Sequence, residues 1–301
     1  MTNTRKFLLS LLVLLNPVYS FAQEMHQQQN RGFFDFLFTA KYIVIILMTV
    51  VFIALLFTQK IDSKGRVIVL AVSFLLFGVI SYFINTFMIS PSPVCATTKP
   101  FYLGAKPQFF ATLAVIGVLS IFATKGFCGI ACPIGALQEL FYKIPILKKL
   151  KRKKLPFNIS NSIRIGIAIL FFVLMYTTGT IIYSYINMFD LIHWDFAMPA
   201  IDLIFFIAFI VIMLGLSLFL FRPFCYLICP MGLLTWVLEH ISVYKVRLKK
   251  ESCNNCGKCI IKSPCPSVSS IIEGKKLRGD CHLCNICIES CPTKALYFGA
   301  K

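Results

Sequence analysis

Acidic residues are scarce in this chain: 12 Asp plus Glu among 301 residues, against 30 Lys plus Arg, for a formal net charge of +18. Histidine is scarcer still, with only His26, His193, His240 and His282. None stands in the middle of an apolar run, which excludes a b-type haem held by two imidazoles within a bilayer, and the lack of CxxCH excludes a covalently attached c-type haem. There is no GxxxxGK[ST] loop and no GxGxxG after a strand, so nucleotide hydrolysis and Rossmann-type binding have no support. The apolar runs hold no relay of carboxylates or lysines, which weighs against ion-coupled transport. Charged residues of both signs make up 14% of the chain and hydrophobic ones 58%, a balance that a soluble domain does not show. A membrane protein is expected. The basic excess gathers in short segments beside apolar runs, and no recognition motif accompanies it, so nucleic acid is not an expected partner.

Residues 1–22 have the features of a signal peptide: Arg5 and Lys6 at the charged start, Phe7 to Leu15 as a short apolar stretch, and Ser20-Phe21-Ala22 as a small-x-small cleavage site. A polar outer segment occupies 23–38. Five apolar segments follow at about 39–58, 67–89, 108–125, 163–185 and 201–221, each near the ~20 residues that a bilayer requires. Residues 59–66 carry Lys60, Lys64 and Arg66, and residues 126–162 carry Lys143, Lys148, Lys149, Lys151, Arg152, Lys153 and Lys154. Residues 90–107 hold only Lys99 and Lys106, and 186–200 hold neither Lys nor Arg. The positive-inside rule puts the basic loops in the cytoplasm. Five crossings from an outside start then deliver everything after residue 222 to the same side. The expectation is a multi-pass protein of the cytoplasmic (inner) membrane, in contact with lipid, with a membrane domain over 39–248 and a cytoplasmic domain over 249–301.

One internal repeat stands out. Lys125, Phe127-Cys128, Cys132-Pro133, Gly135 and Leu137 match Arg222, Phe224-Cys225, Cys229-Pro230, Gly232 and Leu234 at a constant offset of 97 residues. Each half is a helix pair followed by CxxxCP, so the repeats run parallel and both motifs emerge on the cytoplasmic face. CxxxC sets two thiols at i and i+4 on one face of a helical turn, and the proline suits the first turn of a new helix. Four thiolates from two helix ends are candidates for one metal or iron–sulfur centre. The alternative is that Cys128, Cys132, Cys225 and Cys229 are small packing residues at crowded helix ends; the duplicated spacing with proline favours the redox reading.

The remaining cysteines concentrate in the tail. Cys253, Cys256, Cys259 and Cys265-Pro266 form one run, and Cys281, Cys284, Cys287 and Cys291-Pro292 form a second with the bacterial ferredoxin spacing. In that pattern each triplet serves one cubane and the fourth cysteine ligates the other. Cys253, Cys256, Cys259 and Cys291 are thus expected to hold one [4Fe–4S] cluster, and Cys281, Cys284, Cys287 and Cys265 a second. The first run has five residues before its last cysteine where the pattern has three, so Cys265 is the least secure of the eight. Paired zinc knuckles compete as a reading, although zinc has no use for two triplets each closed by CysPro. His282 reads as a spacer within CxxC. Cys95, in the outer loop among Pro91, Pro93 and Pro100, is left as a lone thiol. His193, with Asp190 or Asp195, could accept protons from a quinol at the outer interface, while an aromatic belt and a short polar turn explain the same residues without chemistry.

The segments FCGIACPIGALQEL and FCYLICPMGLL, together with the eight-cysteine tail, resemble the polytopic membrane 4Fe–4S polyferredoxins of the NapH, NosR and CcoG type over about residues 60–295. The resemblance implies a fold and a role. The fold is an all-α polytopic bundle of five spans after a signal peptide, made of two parallel helix-pair repeats, with a small C-terminal two-cluster ferredoxin-like α+β domain. The role is that of a membrane-bound electron-transfer subunit of a quinol dehydrogenase-like complex, passing electrons between the quinol pool and a partner reductase or other redox protein. A cofactor-biogenesis or Cu(I)-handling metal reductase of the CcoG type, and a redox sensor, are the alternatives. An outer FMN-binding domain such as that of NosR is missing, and the extra N-terminal span and five-residue gap separate the chain from NapH.

Overall fold

The computed structural model describes residues 32–58, 62–145, 151, 154–179, 181–193, 200–275 and 278–300. The expected signal peptide, most of the polar outer segment, Asp195 and the side chain of His193 lie outside the described residues.

The helices follow the apolar runs, and their ends follow local chemistry. Ala40–Phe57 is unbroken by any charge after Lys41. Ser63–Phe83 is opened by Asp62, whose carboxylate accepts the Gly65 N–H at 2.8 Å, a side-chain cap worth about 1 kcal/mol. Phe157–Thr178 starts after Pro156 and stops at Gly179, which takes the left-handed conformation (φ +69°) that terminates helices. These three are long and apolar enough to cross a membrane, and Pro107–Phe122 and Ile201–Ser217 are apolar but shorter. Hydropathy places the end of the third segment at 125, but the helix stops at Phe122 because Ala123 turns extended and pairs with Tyr244. A buried bond between Tyr42 Oη and Thr112 Oγ1 of 2.6 Å joins Ala40–Phe57 to Pro107–Phe122.

Each of the two shorter apolar helices leads into a CxxxCP turn. After Pro107–Phe122 comes a wide π-type turn, Phe127–Ala131, and then the helix Pro133–Lys143. After Ala200–Ser217 comes Pro223–Leu227, and then Pro230–Glu239. The turns close alike: the Cys132 N–H reaches the Phe127 carbonyl and the Cys229 N–H the Phe224 carbonyl, both at 2.9 Å. Wide turns of this i to i+5 kind are frequent at functional sites.

The tail hangs between two short strands, β1 (Lys245–Leu248) and β2 (Leu296–Gly299), paired antiparallel with Lys245 opposite Gly299 and Leu248 opposite Leu296. It is fastened directly to the helices. The Val243 N–H donates to the Ile121 carbonyl at 2.8 Å and the Tyr244 N–H to that of Phe122 at 2.9 Å. The ring of Phe57 packs against Tyr244 and Phe298, with centroids 5.0 and 5.2 Å apart.

Candidate iron–sulfur sites

Cys132 and Cys229 cap the helices that begin at Pro133 and Pro230, and a missing side chain beside each cysteine pair lets the backbone close up. A Cβ on Gly135 would meet the Cys128 carbonyl at 2.8 Å, and one on the equivalent Gly232 would meet that of Cys225 at 2.6 Å. All four cysteines are buried and line one common cavity. Burial, with Cys225 and Cys128 close by, pushes the Cys132 thiol well above its ordinary range. The Gly135 N–H points at Cys132 Sγ from 3.5 Å.

The two tail runs adopt the same backbone. Asn255 and Leu283, one residue before the second cysteine of each triplet, have φ of +53°, and Gly257 and Asn285, one residue after it, have φ of +67° and +63°. Short helices, Lys258–Lys262 and Ile286–Glu289, then carry the third cysteine. Left-handed residues in series turn the backbone around the thiols. Cys259 lies within electrostatic reach of Cys291 and Cys256, and Cys284 within that of Cys265. Cys265, Cys281, Cys284 and Cys287 are buried, as is Cys259, whereas Cys253 and Cys291 are half-buried and Cys256 is exposed. One group of four thiols is therefore wholly enclosed and the other partly open to solvent. Among the described residues no three His, Cys, Asp or Glu converge tightly enough for a single metal ion. In a cubane each cysteine meets a different iron, so its thiols stand further apart than a single ion's ligands.

Sequence reasoning missed the charges around these sulfurs. Arg66, Lys125, Arg164 and Arg222 are all fully buried, with Glu139, Asp280 and Glu239. Glu139 receives Arg66 Nε at 3.0 Å and Arg222 Nη2 at 2.6 Å. Asp280 pairs with Lys125 and, at 3.1 Å, with Arg164. The same cations hold the sulfur-bearing backbone: Arg222 donates to the Cys128 carbonyl, Arg164 to that of Cys225 at 3.2 Å, and Lys125 to that of Gly232 at 2.7 Å. Against the upward pull of burial, Arg66 and Arg222 hold the Glu139 carboxyl down at about 2. Burial lifts Glu239 to about 8, where it receives the Cys281 N–H at 3.2 Å. Four buried basic side chains thus face three buried carboxylates, of which Glu239 is the one that burial makes hardest to ionise. The available signal was the repeat itself, which pairs Lys125 with Arg222, and the position of Arg164 at the start of an apolar run.

The two halves also meet the tail here. Arg66 donates to the Leu283 carbonyl at 3.0 Å and the His282 carbonyl at 3.2 Å, and His282 lines the cavity of the four membrane-side cysteines. Cys95 lies apart from both sulfur sites. It is half-buried, in the short helix Pro93–Thr98, with its N–H on Ser92 Oγ at 3.2 Å. Asp190, expected beside His193, accepts from Asn187 at 2.6 Å.

Apolar helices, paired CxxxCP turns and two cysteine-rich loops define a membrane-associated iron–sulfur protein, and the comparisons agree. The family described as 4Fe-4S binding domain matches twice, over residues 107–154 and 202–249, each match covering one CxxxCP segment. An uncharacterized protein of Methanocaldococcus jannaschii is 30% identical over 204 residues, covering 65% of this chain and 80% of its own length. Electron transport protein YccM of Escherichia coli is 30% identical over 58% of this chain and 51% of its own length. Regulatory protein NosR of Stutzerimonas stutzeri is 26% identical over 60% of this chain and 26% of its own length. The chain belongs to the family of ferredoxin-type 4Fe–4S electron-transport proteins related to NapH and NosR. It spans about half of YccM and a quarter of NosR. No solved structure matches.

Proposed function

We propose that this iron–sulfur protein carries electrons between the membrane quinol pool and a partner reductase through three centres: one held by Cys128, Cys132, Cys225 and Cys229, an inner tail cluster on Cys265, Cys281, Cys284 and Cys287, and an outer one on Cys253, Cys256, Cys259 and Cys291. The observation that carries the reading is the cavity where all four CxxxCP cysteines meet a residue of the tail's second CxxC loop. The excess of buried cations fits the donor set. Four basic side chains buried against three carboxylates make an expensive arrangement, and a centre ligated by four thiolates is the anion that offsets it. Iron–sulfur centres supply one-electron carriers whose potentials follow charge, hydrogen bonding and exposure. The polypeptide grades that exposure, from enclosed thiols beside the apolar helices to the exposed Cys256, where a soluble partner could approach.

The reading includes five membrane crossings and a cytoplasmic tail, in keeping with the apolar helices and the basic loops. Anaerobic membranes containing the protein should lose iron–sulfur absorbance when a reduced quinol analogue is added, and Cys128→Ser plus Cys225→Ser should slow this bleaching at least tenfold. Bleaching that is unaffected by the double variant would remove these thiols from the path, and a reporter fused after residue 301 that is active only in the periplasm would overturn the topology.

A further inference from the structure

His282 belongs to both sulfur sites. In sequence it separates Cys281 from Cys284; in space it lines the cavity of Cys128, Cys132, Cys225 and Cys229. Its side chain is 1% exposed, and neither Nδ1 nor Nε2 has a hydrogen-bond partner among the described residues. Leaving a buried polar group unpaired forfeits its hydration with nothing in return. Phenylalanine would fill the same slot without that cost.

The ring is held from several sides. It packs edge-on against Tyr226 and Phe221, at 5.1 and 6.1 Å between centroids. Arg66 grips the main chain at His282 and Leu283, and Leu283 accepts a left-handed backbone, φ +53°, a conformation that strains a bulky residue. On the opposite side Gly129 gives way, since a Cβ there would lie 2.5 Å from the His282 carbonyl. Apart from this imidazole, every side-chain heteroatom lining the cavity is a sulfur. A neutral imidazole keeps one N–H donor in either tautomer.

We infer that His282 is a positioning residue whose ring N–H donates a hydrogen bond to a sulfur of the centre held by Cys128, Cys132, Cys225 and Cys229, fixing that centre against the inner tail cluster. The inference rests on the proposal that this cavity holds an iron–sulfur centre. Hydrogen bonds to the sulfurs of a cluster favour its more negative, reduced state and so raise its potential.

The test uses the full-length protein in detergent, isolated anaerobically from a histidine auxotroph fed ring-15N histidine and examined by pulsed EPR after reduction. The expected result is a 15N coupling that is absent in His282→Phe and absent in Cys128→Ser plus Cys225→Ser. His282→Phe should keep its iron and titrate at a lower potential, with His282→Gln, which retains an N–H donor, falling between it and the unmodified protein. His282→Gln also carries the potential measurement should the phenylalanine variant not fold. No 15N coupling in the unmodified protein, or one that survives loss of the two cysteines, would overturn the assignment. Iron analysis separates the two levels: if the cysteine variant keeps as much iron as the unmodified protein, the cavity holds no centre, and the proposal beneath the inference has failed.

Discussion

Two guanidinium groups share one carboxylate at Glu139, and all three are sealed from water. Removing one member of such a set leaves uncompensated charge, so Glu139→Gln should destabilise the protein by about 3–5 kcal/mol, read from its thermal unfolding midpoint in detergent. The pH dependence has a definite sign. The folded carboxyl, at about 2, lies below its unfolded value of roughly 4.3, so its contribution is complete above that value and fades only as the pH falls toward 2. The difference between Glu139→Gln and the unmodified protein should therefore be constant from pH 5 to 8, and a difference that varies strongly across that range would contradict the pairing. Gly129 is the second sensitive position. Gly129→Ala puts a methyl group within 2.5 Å of the His282 carbonyl, where neither backbone can yield cheaply. It should loosen the tail and cost at least 1–3 kcal/mol, seen as faster proteolysis of the segment after Glu239.

At the scale of elements, the paired turns were readable because chemistry repeats there. Cys-x3-Cys-Pro at a fixed offset foretold two helices opened by proline, and both are present. The triplet spacing foretold two like loops, and matched left-handed residues occur in each. What could not be read was the ion network. Arg66 sits among basic residues that a charge count assigns to the cytoplasmic surface and Lys125 at the very end of an apolar segment, and only the fold turns them inward toward carboxylates up to 155 residues away in sequence. His282 was unreadable for the same reason, since a spacer in a CxxC shows nothing of what its ring meets across the interface. Helix ends were misplaced where apolar sequence outlasts the helix, as at Ala123, which leaves it to pair with Tyr244. Gly257 tests the loop geometry directly. At φ +67° with open space around it, Gly257→Ala meets backbone strain alone, costing about 1 kcal/mol. Chelator should then strip iron from the outer tail site faster than from the inner one.

On the scale of the whole molecule, the tail is fastened against the apolar helices and is not a tethered appendage. Backbone bonds from Val243 and Tyr244 and the Phe57 ring hold it there. Phe57→Ala should weaken this seat by about 1 kcal/mol, measured as increased hydrogen exchange of β1 and β2 with the iron content unchanged. Such a fixed seat is what a chain of closely spaced electron carriers requires, and it leaves the thiols of the second tail loop enclosed and Cys256 exposed. The most direct test of the account is Mössbauer spectroscopy of 57Fe-enriched protein, with and without Cys128→Ser plus Cys225→Ser. Three four-iron clusters predict about 12 irons per chain, falling to about 8 in the variant; about 8 irons in both, with identical spectra, would contradict it.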